Sequence, residues 1–310
     1  MTKRPAQPAP VMAAPLLAAT LMAALPGVSC AATMLLDRAA YPEGPLWQGG
    51  RLLYVEYAGP GVKIWDGKRS ALYWRGEHCG ASGLIAYRDH VLVACYDANT
   101  VVELDASGKQ LRTIDKDGAG RPFVGPNDFT ADGRGGVYFS ASGVFDVKAP
   151  ISGAVLHLPA AGGGAPVEVA NLIHYPNGLT LSKDGKNLLV AEMLAGRILS
   201  FPVASDGTLG PRSVWARMQD LAPPTAGADA YNGPDGLKLG PDGNYYIAQN
   251  GSARVLVVSD TKQLLRSILV PTRYVTNMSF GAPGSGALYI TGVFDAWKAP
   301  YPGAVYRWTK

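Results

Sequence analysis

Apolar residues in this chain come in short runs of four or five, set off by turns rich in Gly, Asp and Asn. One unit recurs six times: a small or polar residue, an apolar residue, a short strand, a Gly/Asp turn and a second apolar strand. The copies open at Glu43-Gly-Pro-Leu46, Ser82-Gly-Leu84, Asn127-Asp-Phe129, Asn177-Gly-Leu179, Asp235-Gly-Leu237 and Asn277-Met-Ser279. Their second strands read Leu52–Val55, Val91–Ala94, Val137–Ser140, Leu188–Ala191, Tyr245–Ala248 and Leu288–Thr291. The turns between them, Gly49-Gly50, Asp132-Gly133, Asp184-Gly185 and Asp242-Gly243, are hairpin chemistry. Helical periodicity is absent.

Successive copies begin 39, 45, 50, 58 and 42 residues apart, a mean of about 47 that matches a four-stranded propeller blade. The fold class expected is therefore all-β, a six-bladed β-propeller occupying residues 32–310. Outer strands are expected at Val62–Trp65 and Ala71–Tyr73, Val101–Leu104, Ala154–Leu158, Arg197–Phe201, Val255–Val258 and Ala304–Trp308. Phe145-Asp-Val-Lys-Ala-Pro150 and Phe294-Asp-Ala-Trp-Lys-Ala-Pro300 repeat each other almost literally. Met34–Leu36 is expected to pair beside the C-terminal strand, since closing the ring removes exposed edges. A β-sandwich also has many short strands, but it needs no motif repeated six times.

Composition narrows the class. Apolar residues make up 47% and charged ones 17% of 310 residues, which excludes a disordered chain. Gly 38 and Pro 24 fit a turn-rich fold. The first 31 residues read as a secretory signal peptide: Lys3 and Arg4, an apolar stretch from Val11 to Leu25, then small residues through Ala32. Export to the periplasm or medium is expected, and Cys30 raises the alternative of a lipid anchor. No other apolar run is long enough to span a membrane. Net charge is +4, falling to +2 without the leader, and no basic cluster supports a nucleic-acid partner. Cys79 and Cys95 flank a hairpin and are left as either a disulfide or two buried thiols.

The residues that open the inner strands carry the chemistry, because equivalent positions of all blades converge on one channel axis. Glu43, Ser82, Asn127, Asn177, Asp235 and Asn277 occupy that position. Carboxylate and amide oxygens around one axis are hard ligands, suited to Ca²⁺, Mg²⁺ or Mn²⁺, with Zn²⁺ also considered. Any single Asn-Gly or Asp-Gly, such as Asn177-Gly178, reads more readily as a turn than as a ligand. A hairpin turn follows about eight residues later in the same units, however, which leaves no room for a second turn.

With those motifs, Glu43-Gly-Pro-Leu-Trp47, Gly125-Pro-Asn-Asp-Phe129, Tyr175-Pro-Asn-Gly-Leu179, Asp235-Gly-Leu237 and Thr276-Asn-Met-Ser-Phe-Gly281, nearly the whole mature chain resembles the SMP-30/regucalcin/gluconolactonase (LRE-like) family. The resemblance implies a divalent cation, calcium above all, held at the channel centre by Glu43, Asn177 and Asp235. Asn127 falls on a further amide that binds substrate or metal in relatives. Some sugar-lactonase members carry Arg two residues before that amide, where this chain has Gly125; Arg121 is the nearest replacement. The resemblance implies a metal-dependent lactonase: the cation polarises the carbonyl of a small lactone, and Asp235 serves as general base or as metal ligand only. Arg121, His174 and Tyr231 are candidate substrate contacts, with His78, Tyr175, Asn232, Arg273 and Tyr274 as further wall candidates. The alternatives are a phosphotriesterase or arylesterase on the same site, and a non-catalytic, metal-stabilised binding propeller.

Overall fold

The structure, a computed structural model, describes residues 28–29, 31–160, 164–228 and 232–310. The signal-peptide assignment therefore lies almost wholly outside the described residues, as do Cys30 and Tyr231.

Six antiparallel four-stranded sheets, blades 1 to 6, follow one another along the chain. Blade 1 comprises Pro42–Gln48, Arg51–Glu56, Gly61–Trp65 and Ser70–Arg75. The inner strands of blades 2 to 6 are Ala81–Tyr87, Pro126–Ala131, Pro176–Leu181, Pro234–Leu239 and Tyr274–Phe280. All six repeat-opening residues lie in these strands. Blade 6 is completed by the N-terminal strand Thr33–Ala40, which pairs antiparallel with Pro302–Thr309 and sets Met34 opposite Tyr306. This is the ring closure expected from Met34–Leu36. Val28–Ser29 adds to the outer strand of blade 5, parallel to Leu264–Leu269.

Why the second strands read as continuous apolar runs is plain from the packing. Side chains alternate between the faces of a sheet, and here both faces are covered by neighbouring blades. In Arg51–Glu56, Leu53 and Val55 enter the seam with blade 2, while Leu52 and Tyr54 enter the seam with blade 6. The buried core accordingly falls into six clusters, one per seam, the sixth joining blade 6 to blade 1. Each fully buried Leu, Ile or Val contributes roughly 1.5–3 kcal/mol, so a missing seam would leave two blades with one uncovered face each.

The outermost strands Gln110–Ile114, Val167–Ile173, Ser213–Arg217 and Leu264–Leu269 escape the sequence pattern. They form the solvent rim and hold few buried residues, so their apolar signal is diluted.

Every inner strand carries a register shift at its repeat-opening residue, for example between Pro126 and Phe129, Pro176 and Leu179, and Pro234 and Leu237. A bulge at that place re-aims the side chain. It also brings adjacent inner strands very close. A Cβ on Gly178 would lie 2.2 Å from the Leu237 nitrogen, and one on Gly83 would lie 2.1 Å from the Asn127 oxygen. Asn177-Gly178 is thus strand, not turn: its glycine is needed for close approach. The turn of that unit is Asp184-Gly185, where Gly185 has φ +70°.

Candidate active site at the channel mouth

Four of the six repeat-opening residues follow a proline: Pro42-Glu43, Pro126-Asn127, Pro176-Asn177 and Pro234-Asp235. Hydroxyls of nearby residues pin three of these prolines through their carbonyls. Thr276 Oγ1 donates to Pro42 (3.0 Å), Ser82 Oγ to Pro126 (3.0 Å) and Ser142 Oγ to Pro176 (2.6 Å). The four residues so placed are buried, and all line one cavity of about 250 Å³ at the end of the channel.

Ser82 and Asn277 are placed differently. Ser82 lines the cavity, but its hydroxyl is engaged with backbone carbonyls of blade 3. Asn277 turns away and donates to Asp128 Oδ2 at 3.2 Å. The sixfold register therefore yields four candidate ligands.

Their oxygens are only partly satisfied. Asn250 Nδ2 donates to Asp235 Oδ2 (2.8 Å), and the Gly44 N–H donates to Glu43 Oε2 (2.9 Å). Asp235 Oδ1 and Asn177 Oδ1 are buried with no hydrogen-bond partner among the described residues. An unsatisfied buried acceptor costs about 1–3 kcal/mol, so two in one cavity call for a ligand. Burial, and then Asp235, push the Glu43 carboxyl well above the usual range, with the Gly44 N–H opposing. Burial likewise pushes Asp235 up, opposed by the Asn250 amide, reinforced by Asp128 and opposed again by the Asn177 side chain. Two carboxylates and two amides that repel or go unpaired without a cation are a donor set that fits a hard divalent ion. Among the described residues no three or more His, Cys, Asp or Glu are grouped so that they could hold a metal ion, so the fit rests on this mixed set.

Outside the cavity lining, Lys238 of blade 5 reaches Asp128 of blade 3, with Nζ 2.8 Å from Oδ2 and 3.0 Å from Oδ1. Asp128 also accepts from the Phe129 N–H. Asp128 follows Asn127, and Lys238 lies three residues beyond Asp235, so this ion pair joins two ligand-bearing strands. No sequence motif marked it.

The wall is aromatic. Tyr301, Tyr41, Tyr57, Tyr96, Tyr175, Phe145 and Trp297 follow one another as a chain of ring contacts with centroids 4.8–6.3 Å apart. Trp297 Nε1 then donates to the Tyr274 hydroxyl at 3.1 Å. All eight line the cavity. Tyr41, Tyr175 and Tyr301 sit in the left-handed region, with φ of +51°, +61° and +56°, strain of the kind that collects at functional sites. The Phe145 and Trp297 loops thus both meet each other and form the rim.

Sequence reasoning placed other residues at this wall. Arg121 is exposed and paired with Asp117, Nε to Oδ2 2.8 Å, outside the cavity lining. Its carboxylate partner lies four residues away, so local pairing holds it. His174 is also absent from the lining: its backbone N–H donates to Glu192 Oε1 at 2.8 Å, and its Nε2 is buried without a partner among the described residues. Asn232 bonds Ser252 Oγ at 2.7 Å, and neither His78 nor Arg273 lines the cavity. Tyr175 and Tyr274 do. Tyr41, Tyr57, Tyr96, Tyr301 and Asn250 were missed. Tyr41 had a signal, because Tyr41-Pro-Glu43 copies Tyr175-Pro-Asn177.

Cys79 and Cys95 form a disulfide, settling the pairing that the sequence left open. It fixes the start of the loop that carries Tyr96, whose N–H bonds the Gly80 carbonyl.

Fold and site together define a class: six-bladed propellers with an oxygen-donor site at the axial end of their inner strands. Residues 41–294 match the SMP-30/Gluconolactonase/LRE-like region, and the chain belongs to that family. A curated relative, the lactonase drp35 of Staphylococcus aureus, is 30% identical over 148 residues, covering 47% of this chain and 42% of the relative. The match thus spans less than half of that protein's length. Among solved structures, a gluconolactonase of Xanthomonas campestris superposes with a TM-score of 0.70 at 23% identity, over 88% of each chain. A calcium-binding regucalcin of Agrobacterium tumefaciens gives 0.71 at 16% identity, over 91% of this chain and 95% of that one. At such identities the structures speak for the fold.

Proposed function

We infer that this chain is an exported, divalent-metal-dependent lactonase. One observation carries the reading: Asn177 Oδ1 and Asp235 Oδ1, buried without a hydrogen-bond partner among the described residues, belong to side chains that line one cavity rich in aromatic rings. Family membership and the lactonase relative support the reaction class, and the regucalcin neighbour supports calcium as the ion.

Glu43, Asn127, Asn177 and Asp235 would hold the cation, which when bound supplies polarisation of the lactone carbonyl and stabilises charge on its oxygen. Asn250 fixes the orientation of Asp235 by holding Oδ2. Asp235 Oδ1 is then the atom left to ligate the ion or to receive a proton from the attacking water. Tyr41, kept protonated by burial and by Asp235 and Glu43, is a hydrogen-bond donor at the wall. The aromatic belt excludes bulk water from the reacting carbonyl.

Export is supported by the Lys3-Arg4 and apolar N-terminal pattern and by the Cys79–Cys95 disulfide, which belongs to an oxidising compartment. No described helix is long and apolar enough to cross a membrane.

The test is lactone opening followed by pH-stat. The protein should turn over lactones, lose activity in chelator and regain it with Ca²⁺, and Asp235→Asn should lose about 100-fold or more, as expected for a residue at the reacting centre. Full turnover by Asp235→Asn would sink the mechanism. A chelator-sensitive Tm without turnover on any ester would instead mark a binding propeller.

A further inference from the structure

Among the described residues, the sixteen that line the cavity include Glu43 and Asp235 but no Lys, Arg or His. A divalent ion would balance those two carboxylates and leave the cavity neutral, with no fixed positive group among its described lining residues. An anionic substituent would then lose its hydration without gaining a partner, which is strongly unfavourable. The charges on the rim loops, Asp146, Lys148, Asp295 and Lys298, are absent from the lining.

Part of the wall's hydrogen-bonding capacity is already taken, and eight of the lining residues present aromatic rings. Of the six wall tyrosines, Tyr57 donates to Asp97 Oδ1, Tyr96 donates to the Gly143 carbonyl and Tyr274 accepts from Trp297. A polyhydroxylated ring would bury several hydroxyls against aromatic carbon, each costing about 1–3 kcal/mol if unpaired. An Arg at position 125 has no room either: Gly125 has φ +62°, and a Cβ there would lie 2.7 Å from Tyr96 Cε2.

The rim adds two aromatic rings, tilted 34° to one another. Phe145 follows the second strand of blade 3 and Trp297 follows that of blade 6, on opposite sides of the ring, yet their ring centroids are 6.3 Å apart. The two loops are copies of one motif, and the second copy carries one extra residue, Trp297. The outer side chains of these loops, Val144, Val147, Ile151 and Phe294, are exposed and apolar.

We propose that this site takes an uncharged lactone with an apolar ring, held among the aromatic side chains that include Phe145 and Trp297, and refuses anionic lactones. The inference rests on the lactonase reading, and its test separates the two. With Ca²⁺ present, kcat/KM is measured for dihydrocoumarin, gluconolactone and a phosphorylated gluconolactone. Dihydrocoumarin should exceed gluconolactone by about tenfold or more, and the phosphorylated lactone should fall about 100-fold or more below dihydrocoumarin. Phe145→Ala and Trp297→Ala should each raise KM for dihydrocoumarin about three- to tenfold with kcat nearly unchanged, the size of an aromatic contact. Equal turnover of the phosphorylated lactone, or unchanged KM in both variants, overturns the proposal.

If no lactone is opened, the reaction class fails and binding still decides the inference. Among the described residues, Trp297 is the one tryptophan that lines the cavity. The aryl lactam corresponding to dihydrocoumarin, which cannot be opened as a lactone, should quench tryptophan fluorescence in the wild type and not in Trp297→Phe. No quenching in the millimolar range overturns it.

Discussion

Gly178→Ala tests whether Asn177-Gly178 is a turn or a point of contact between blades. In the structure a Cβ at this position lies 2.2 Å from the Leu237 nitrogen and 2.5 Å from the Asp235 oxygen. Non-bonded heavy atoms prefer about 3.5–4.0 Å, so the inner strands of blades 4 and 5 must part by about 1 Å or more. Both obstructing atoms are backbone, and no rotamer change relieves the clash. Overpacking costs typically 1–3 kcal/mol, and the upper end, about 3 kcal/mol, applies here. At about 2–4 °C per kcal/mol, Tm should fall by about 6–12 °C. Gly185→Ala is the control: Gly185 has φ +70° with nothing within 4 Å, so only backbone strain of about 1–2 kcal/mol is expected. Differential scanning calorimetry of both variants compares them directly. Gly178→Ala melting at or above Gly185→Ala would refute the close-approach argument.

Two further outcomes follow from buried contacts. Lys238→Met strands Asp128, whose side chain is 2% exposed, while Lys238 itself is 23% exposed. Breaking fully buried pairs costs about 3–5 kcal/mol, and the donors remaining on Asp128 lower this to about 2 kcal/mol. In urea unfolding, the double variant Asp128→Asn/Lys238→Met should recover at least half of the loss, and no recovery would argue against an uncompensated charge. Replacing Cys79 and Cys95 together by Ala frees a loop of about 15 residues, for which chain entropy predicts about 3 kcal/mol. Alkylation and peptide mapping of the unreduced protein should leave both cysteines unlabelled, and labelling of either refutes the bond.

The candidate ligands were legible because their position repeats. Six copies at blade spacing singled out Glu43, Asn127, Asn177 and Asp235, and the proline before each of these four, missing before Ser82 and Asn277, would have separated them further. The wall was less legible. Arg121 was nominated from nearness along the chain to Asn127, yet a carboxylate four residues away holds it outside. Tyr57, Tyr96 and Tyr301 come from loops of different blades and carry no shared motif, so only the ring of contacts brings them together.

By itself, the sequence determined the six-bladed ring, its second strands and its closure by the N-terminal strand. Those features depend on local patterning: apolar runs buried on both faces, hairpin turns at fixed offsets, and one repeat length. Only the tertiary structure decided that Gly178 is a contact, that Asp128 pairs with Lys238 110 residues away, that Cys79 bonds Cys95, and that, among the described residues, eight aromatic rings and no cationic side chain line the cavity of the four oxygen donors. The physical reason is that these are relations between blades. Packing around a closed axis sets them, and residues far apart in the chain answer to one another there without leaving a periodic trace.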